Sequence, residues 1–399
     1  MNSIILKYKK FKYTILTVLM IPLLWFGIKA GWNKANTDFP NYYVSAQLLI
    51  KGNLADAYHV NKFNTAIDEY NSEASGLFVM YPPTTALLSL WLTSFDLLNA
   101  KRIWILISLI ACVAIVFLVK SRCNIDKTSA SVILLLSGFS LYNDLMLGQV
   151  YLVMLALMLF GWHALEQNKA ILSGMSWGLV AAFKFLPLFF IPFLLLKKQY
   201  KITFFLLLTF MIIHLFTLII GGTDAYNSFF QVFTANYLHG KVANQTALSM
   251  QYQSMEALAN LLSQLSQWPN WSINLLKIIW KVIWLCLVFL LWRKYFNSKY
   301  FLIVSLTSIT LILLLFENGS ASYHLLFCLF ALMAFLQIVK DKYWKITLLF
   351  AYATIGFIPV LISLLHLDNL FVNFSRLWCL SFFAGIFFIG LYKQSKFAK

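Results

Sequence analysis

The chain has 399 residues, of which 61% are hydrophobic, 17% aromatic and only 11% charged, and its mean hydropathy of +0.77 excludes an ordinary water-soluble domain. The formal net charge of +17 would suit a nucleic-acid binder, but the lysines sit at the ends of apolar runs, where they set orientation or meet anionic lipid headgroups; no nucleic-acid partner is expected. The five cysteines offer neither a disulfide framework nor a C-x-x-C spacing, and no Asp-x-Asp occurs, so redox, zinc and cation-ligand motifs are missing and no metal or cofactor is expected.

Twelve apolar runs follow in chain order: residues 13–31, 82–97, 103–121, 129–146, 149–165, 171–197, 201–221, 272–295, 299–316, 321–339, 344–366 and 375–393. A hydrocarbon core about 30 Å thick needs about 20 residues of helix, and most of these runs qualify, the second, fourth and fifth being shortest. The expected fold class is therefore all-α, a polytopic membrane protein with about twelve transmembrane helices forming a single membrane domain over residues 1–399. Lys7, Lys9, Lys10 and Lys12 precede the first run without a clear small-residue cleavage site, which favours an uncleaved first helix over a signal peptide.

Basic residues mark cytoplasmic ends at Lys7–Lys12, Lys197–Lys201, Arg293–Lys294, Lys340–Lys345 and Lys393–Lys399. With both termini cytoplasmic, two long polar segments, 32–81 and 222–271, face outward as external loops, together with 317–320 and 367–374. Strict alternation also puts Lys120, Arg122 and Lys127 outside, against the rule, unless 82–97 or 129–146 is re-entrant. Lysine, asparagine, isoleucine and phenylalanine richness suggests a bacterial genome of low GC content, and hence the bacterial inner membrane.

Five of the fourteen acidic residues, Asp38, Asp56, Asp68, Glu69 and Glu73, fall in the first external loop. The last three read as solvated loop acids. Asp38 differs because it directly follows the first run and opens an aromatic, amphipathic stretch. From Tyr42 to Leu49 the apolar positions suit a helix lying in the headgroup plane, holding Asp38 at the membrane surface.

Six marks then appear in order: Asp38 with Tyr42, Tyr43, Ala46, Gly52 and Tyr58; Tyr81-Pro82-Pro83-Thr84-Thr85-Ala86-Leu87-Leu88; Gly148-Gln149; Lys184-Phe185-Leu186-Pro187; Asn244-Gln245-Thr246; and Ser322-Tyr323-His324-Leu325. In order and spacing the chain resembles glycosyltransferase family 87, enzymes of the GT-C fold that use polyprenyl-phosphate sugars and include mannosyltransferases. It departs from the family pattern at Tyr151, where Asn often follows Gly-Gln, and at Ser320-Ala321-Ser322, where the family has Ser-Pro. The resemblance implies a GT-C-like fold with a helical external loop after the first helix. It also implies a polyprenyl-phosphate sugar donor, a lipid-linked or glycan acceptor, and inversion with Asp38 as general base; otherwise Asp38 is a loop residue capping a surface helix.

For substrate binding, the same motifs single out Tyr42, Tyr43, Tyr81, Gln149, Lys184, Asn244, Gln245, Tyr323 and His324, to which Arg376 adds an external cation. An ammonium at a membrane helix centre costs about 2.5–3.5 kcal/mol, so Lys184 reads as a phosphate partner; alternatively it snorkels to an interface. Pro187 and Pro192 stand ready to break its helix. His324 would hold phosphate or an acceptor hydroxyl, or serve as an interfacial anchor. Arg376 suits phosphate or lipid headgroups. The amides of Asn244 and Gln245 suit sugar hydroxyls, although Asn244-Gln245-Thr246 also fits a glycosylation sequon. His163 and His214 lie in apolar runs and read as satisfied within the bundle.

Two rival classes share the membrane setting. A secondary transporter would account for Pro-broken helices, but no internal repeat relates the halves and an acidic loop of this length after the first helix is atypical. Another polyprenyl-linked glycan ligase or polymerase would carry arginines in its late loop, and 222–271 has none.

Overall fold

The computed structural model describes residues 2–34, 38–237, 255, 258–259, 262, 269–317, 321–365 and 374–394. Every regular element among them is helical. In chain order the α-helices are α1 (Asn2–Trp32), α2 (Pro40–Ile50), α3 (Val60–Asp68), α4 (Thr84–Leu88), α5 (Leu97–Cys123), α6 (Lys127–Leu135), α7 (Phe139–Leu147), α8 (Tyr151–Glu166), α9 (Ala170–Phe183), α10 (Ile191–Leu196), α11 (Tyr200–Tyr237), α12 (Asn270–Tyr295), α13 (Phe301–Phe316), α14 (Cys328–Ile338), α15 (Lys342–Leu364) and α16 (Ser375–Gln394).

Four described helical segments are long and apolar enough to cross a membrane: Leu97–Cys123, Tyr200–Ala235, Trp271–Tyr295 and Ser375–Gln394. A fifth is the pair α6 and α7, bent by 77°, if both belong to one span. Large apolar side chains such as Phe204, Met211, Phe216, Ile219, Ile278 and Phe289 lie exposed on α11 and α12. Faces of that composition are stable against lipid and not against water. The chain is a helical membrane protein.

The chain divides into two compact units. The first comprises Leu24–Ala114 and Tyr142–Asn244, the second Met1–Leu23, Ile115–Leu141 and Gln245–Lys399. In the first, α9 packs on both α8 and α11, while α2 is enclosed by α4, α11 and the short 3-10 turns of the 32–97 stretch. Nine of the eleven residues of α2 are buried, so this helix is surrounded by protein, not laid on the membrane surface as its pattern suggests. Its polar groups explain why: Asn41 Oδ1 accepts Leu77 N–H at 2.8 Å, Tyr43 OH donates to Phe95 O at 2.9 Å, and Ser45 Oγ donates to Tyr42 O at 3.1 Å. A helix that is apolar or internally satisfied all round belongs inside. The amphipathic helix of this loop is α3, which buries Phe63 and Ile67 and turns its polar side outward.

Several runs that look continuous in the sequence are broken. Residues 82–97 form only the five-residue α4 and a 3-10 turn over Leu90–Ser94. The 171–197 run stops at Phe183, where Lys184 takes extended backbone angles, and resumes as a 3-10 turn over Leu186–Phe190 followed by α10. Pro187 enforces that break, because it lacks an N–H for the carbonyl of residue 183 and its ring would clash there. In α11 the regular path is interrupted at Gly222, φ +73°, so the beginning of the polar 222–271 segment continues as helix after a kink. Residues 321–339 open as a 3-10 turn, Ser322–Phe327, before α14.

In the second unit α14 is the core element, with Cys328 to Phe335 all buried. The bend between α6 and α7 is made at Gly138, whose φ of +52° is open to glycine without strain. A Cβ on Gly138 would overlap the Gly356 carbonyl of α15, so two glycines meet backbone to backbone, as small residues do where membrane helices approach most closely.

Candidate functional site

Asp38 is half-buried just ahead of α2, and its backbone carbonyl accepts Asn41 N–H at 3.1 Å. Its Oδ2 accepts a 2.6 Å hydrogen bond from Gln149 Nε2. A carboxylate can only accept, so this contact fixes which end of the Gln149 amide faces it. The other end is used as well: Tyr42 OH donates to Gln149 Oε1 at 2.6 Å. Gln149 is fully buried, with its N–H given to Asp144 O at 2.9 Å and its carbonyl taking Trp104 Nε1–H at 3.0 Å. Side chain and backbone of Gln149 are thus both anchored, and the amide is a preorganised donor to Asp38.

Gly148 explains why the motif is Gly-Gln. The turn from α7 into α8 requires φ +71° at this position. A Cβ there would also stand 3.1 Å from Phe39 Cβ and 3.3 Å from Lys101 Cε. Any side chain would push away the residues that flank Asp38.

From Gln149 the polar contacts continue. Tyr42 and Tyr81 hydroxyls are 3.3 Å apart, with the rings edge-on at 5.4 Å, and Trp104 stacks on Tyr42 at 6.1 Å. Tyr58 OH donates to Tyr81 O at 3.0 Å; burial holds the Tyr58 phenol well above its ordinary pKa, so it stays a donor. Lys184 Nζ lies 4.9 Å from the centroid of the Tyr81 ring, a cation–π placement. Thr84 Oγ1 donates to Ala182 O at 2.5 Å, tying the Tyr81-Pro82-Pro83-Thr84 segment to the end of α9 beside Lys184. Asp38, Gln149, Tyr42, Tyr81 and Lys184, scattered over almost 150 positions of sequence, form one continuous array.

Tyr43 is not part of it. Its hydroxyl donates to Phe95 O and accepts from Gln47 Nε2 at 3.2 Å, and its ring meets Tyr70, so it braces the segment between α1 and α5. In the second unit, His324 is buried in the 3-10 turn before α14, with Nδ1 2.9 Å from Glu317 Oε2. Its ring is edge-on to Tyr323, which is half-buried. Arg376 is half-buried in the first turn of α16. Asn244 and Gln245 lie outside the described residues. No group of three or more His, Cys, Asp or Glu side chains gathers as a metal site among the described residues.

Two charged residues escaped the sequence reading. Glu317, the partner of His324, looks like the end of an apolar run. Lys101, one turn into α5, is fully buried; its Nζ donates to Lys34 O at 2.6 Å and Met146 O at 2.9 Å, and its charge acts on Asp38. Its sequence signal was weak, because Lys101-Arg102 resembles an ordinary cationic flank of a membrane span.

A model of glycosyltransferase family 87 matches residues 78–317, more than half of the chain. The chain belongs to this family. No curated protein matches it. As a member of glycosyltransferase family 87, the protein is a membrane glycosyltransferase, with a sugar donor and an acceptor as substrates. The matched stretch holds Tyr81, Gln149, Lys184, Asn244 and Gln245. Asp38, Tyr42 and Tyr43 precede it, and Tyr323, His324 and Arg376 follow it, so for those residues the local geometry has to carry the argument.

Proposed function

We propose that this family 87 enzyme moves a sugar, mannose-like or other, from a polyprenyl-phosphate donor to a hydroxyl of a lipid-linked or glycan acceptor, with inversion at the anomeric carbon. The observation that carries the reading is the grip of Gln149 on the Asp38 carboxylate, at one end of an array that reaches the Lys184 ammonium. In the proposed step the acceptor oxygen attacks the anomeric carbon as the bond to the lipid phosphate breaks. Asp38 takes the acceptor proton, and the leaving phosphate keeps the electron pair. A carboxylate fixed in one orientation suits the first task, and a general base of this kind contributes roughly 10²- to 10⁴-fold. The second task needs a cation facing growing negative charge where water is scarce, and Lys184, at a broken helix end over an aromatic ring, suits it.

Tyr42 and Gln149 then act by orienting Asp38, and Tyr81 by seating Lys184. His324, Tyr323 and Arg376 are offered as further phosphate or hydroxyl contacts, and Asn244 and Gln245 as sugar contacts. The proposed setting is a bacterial inner membrane, with cytoplasmic termini, an outward-facing site and about ten crossings in place of the twelve that unbroken runs would give. The broken 82–97 segment supports this orientation. With that segment kept outside and the 171–197 run entering and returning as two short pieces, Lys120, Arg122 and Lys127 become cytoplasmic, which strict alternation of unbroken runs denied them.

Purified protein in lipid nanodiscs is expected to transfer sugar from a polyprenyl-phosphate hexose and not from a nucleotide sugar; the opposite preference would overturn the donor assignment. Transfer is expected to persist in EDTA, since lysine is assigned the neutralising role, and a strict need for Mg²⁺ or Mn²⁺ would contradict it. Lys184→Met is expected to lower kcat by about tenfold to a hundredfold, with Lys184→Arg retaining part of the rate. Wild-type kcat in Lys184→Met would remove this residue from the mechanism.

A further inference from the structure

We propose that Lys101 is a positioning residue of the transfer site: its buried side chain clamps together the two chain segments that carry Asp38 and Gln149, and its positive charge acts on the Asp38 carboxylate. The proposal rests on the reading of Asp38 as the base.

Three observations converge on it. Lys101 has no solvent exposure at all, and burying an ammonium costs several kcal/mol unless its hydrogen bonds and charge are answered. Its hydrogen bonds are answered from two directions, by the carbonyl of Lys34, four residues before Asp38, and that of Met146, three residues before Gln149. One side chain therefore joins the approach to the base and the approach to the amide that grips it. Both carbonyls are neutral, and Asp38 is an anion whose charge acts on the ammonium. The neighbouring ionisable groups have other commitments: Arg102 Nε donates to Trp32 O at 3.2 Å, and Asp144 Oδ1 accepts Tyr151 N–H at 3.1 Å. Finally, Lys101 Cε packs 3.3 Å from where a Gly148 Cβ would stand, so the clamp and the positive-φ turn that presents Gln149 fit one another.

The plainer view makes Lys101 a cation capping the last turn of α7, of which Met146 is part. That role needs no link to the reaction, and the two views separate kinetically. Wild type, Lys101→Met, Gln149→Leu, the double variant and Asp38→Asn would be purified at full length in nanodiscs, with size exclusion and thermal melting as folding checks. The clamp predicts that folded Lys101→Met loses kcat by about tenfold to a hundredfold, as misplaced catalytic groups do, while KM for donor and acceptor is unchanged.

It further predicts that the double variant loses much less than the product of the single losses, because both residues act through the same carboxylate. Wild-type kcat in folded Lys101→Met, or fully multiplicative losses, would overturn the clamp. Should Lys101→Met not yield folded protein, Lys101→Gln keeps a donor for the carbonyls, removes the charge and is read in the same way. Loss of folded protein in both variants would decide for the capping role alone. The underlying reading fails separately: an active Asp38→Asn overturns the base, whereas an inactive Asp38→Asn beside a fully active Lys101→Met overturns only the clamp.

Discussion

Asp38→Asn is expected to reduce sugar transfer by at least about a hundredfold, the lower end of what a positioned general base contributes, while leaving the protein folded. Asparagine has the same shape and can turn its carbonyl oxygen toward Gln149, so the 2.6 Å contact with Nε2 and the Tyr42 bond behind it both survive. What disappears is the lone pair able to take a proton. Besides the base, the substitution removes the anion whose charge acts on the buried Lys101, so stability has to be read beside rate; Asp38→Ala would in addition strand the buried Gln149 donor. Donor binding is expected to remain, because Lys184 and its Tyr81 platform are untouched. Single-turnover transfer of labelled sugar from a polyprenyl-phosphate donor, with melting temperature as a control, reads both halves of the expectation. A variant that turns over at the wild-type rate would remove Asp38 from the mechanism and leave the proton without an assigned acceptor.

Why five of the marked residues could be read from sequence, and others could not, follows from what each leaves in the pattern. Asp38 and Lys184 are polar interruptions at the edge of or within apolar runs, and a polar group that must be satisfied in a membrane protein is conspicuous; Gln149 was marked by the Gly-Gln motif of the family resemblance. Tyr42 and Tyr81 came with them because they stand in the same short motifs. That these residues form one array, hydrogen-bonded from Asp38 through Gln149 and Tyr42 to Tyr81 and closed by Lys184 over the Tyr81 ring, is invisible in the sequence, since Gln149 is more than a hundred positions from both Asp38 and Tyr42. Lys101 was missed for the converse reason: a lysine beside an arginine at the start of an apolar run has the same local signature whether it meets lipid headgroups or is fully buried against two carbonyls.

The fold shows the same division. Composition identified a helical membrane protein, because apolar runs need only be counted. Where a run breaks was legible in place when the cause was local, as with Pro187 after Lys184, and otherwise only as the charge conflict that singled out 82–97 and 129–146. The enclosure of α2 was not, for an alternation of aromatic and small residues fits a membrane surface and a protein interior equally well. Only the contacts with α4, α11 and Phe95 separate the two. Gly138 itself does not announce a 77° bend, since a single glycine inside 129–146 is compatible with a straight helix; only the misplaced charges of Lys120, Arg122 and Lys127 pointed to 82–97 or 129–146 as irregular. The bend has a reason only once Gly356, more than two hundred residues away, is seen against it.

That contact makes Gly356→Ala a strongly damaging small substitution in the second unit, without the positive φ that would strain the same change at Gly138. A methyl group on Gly356 would overlap Leu136 O and stand 2.8 Å from the carbonyl carbon of Ser137 and 3.0 Å from Gly138 N. All three are backbone atoms at a turn, not the ends of flexible side chains. Relief therefore requires moving α15 or the α6–α7 bend as a whole. Overpacking in cores costs about 1–3 kcal/mol when side chains can shift, and the rigid neighbours here argue for the upper end or beyond, a large share of a typical stability of 5–15 kcal/mol. Gly385→Ala supplies the matched control: it lies in α16 of the same unit, nothing would stand within 4 Å of its Cβ, and alanine there should be neutral or stabilising by about 0.5–1 kcal/mol. Expression level and thermal melting in detergent are expected to separate the two alanines clearly, with Gly356→Ala yielding little folded protein. Equal melting temperatures would mean that α15 does not approach the bend this closely, and the account of how the α6–α7 bend is held would have to be abandoned.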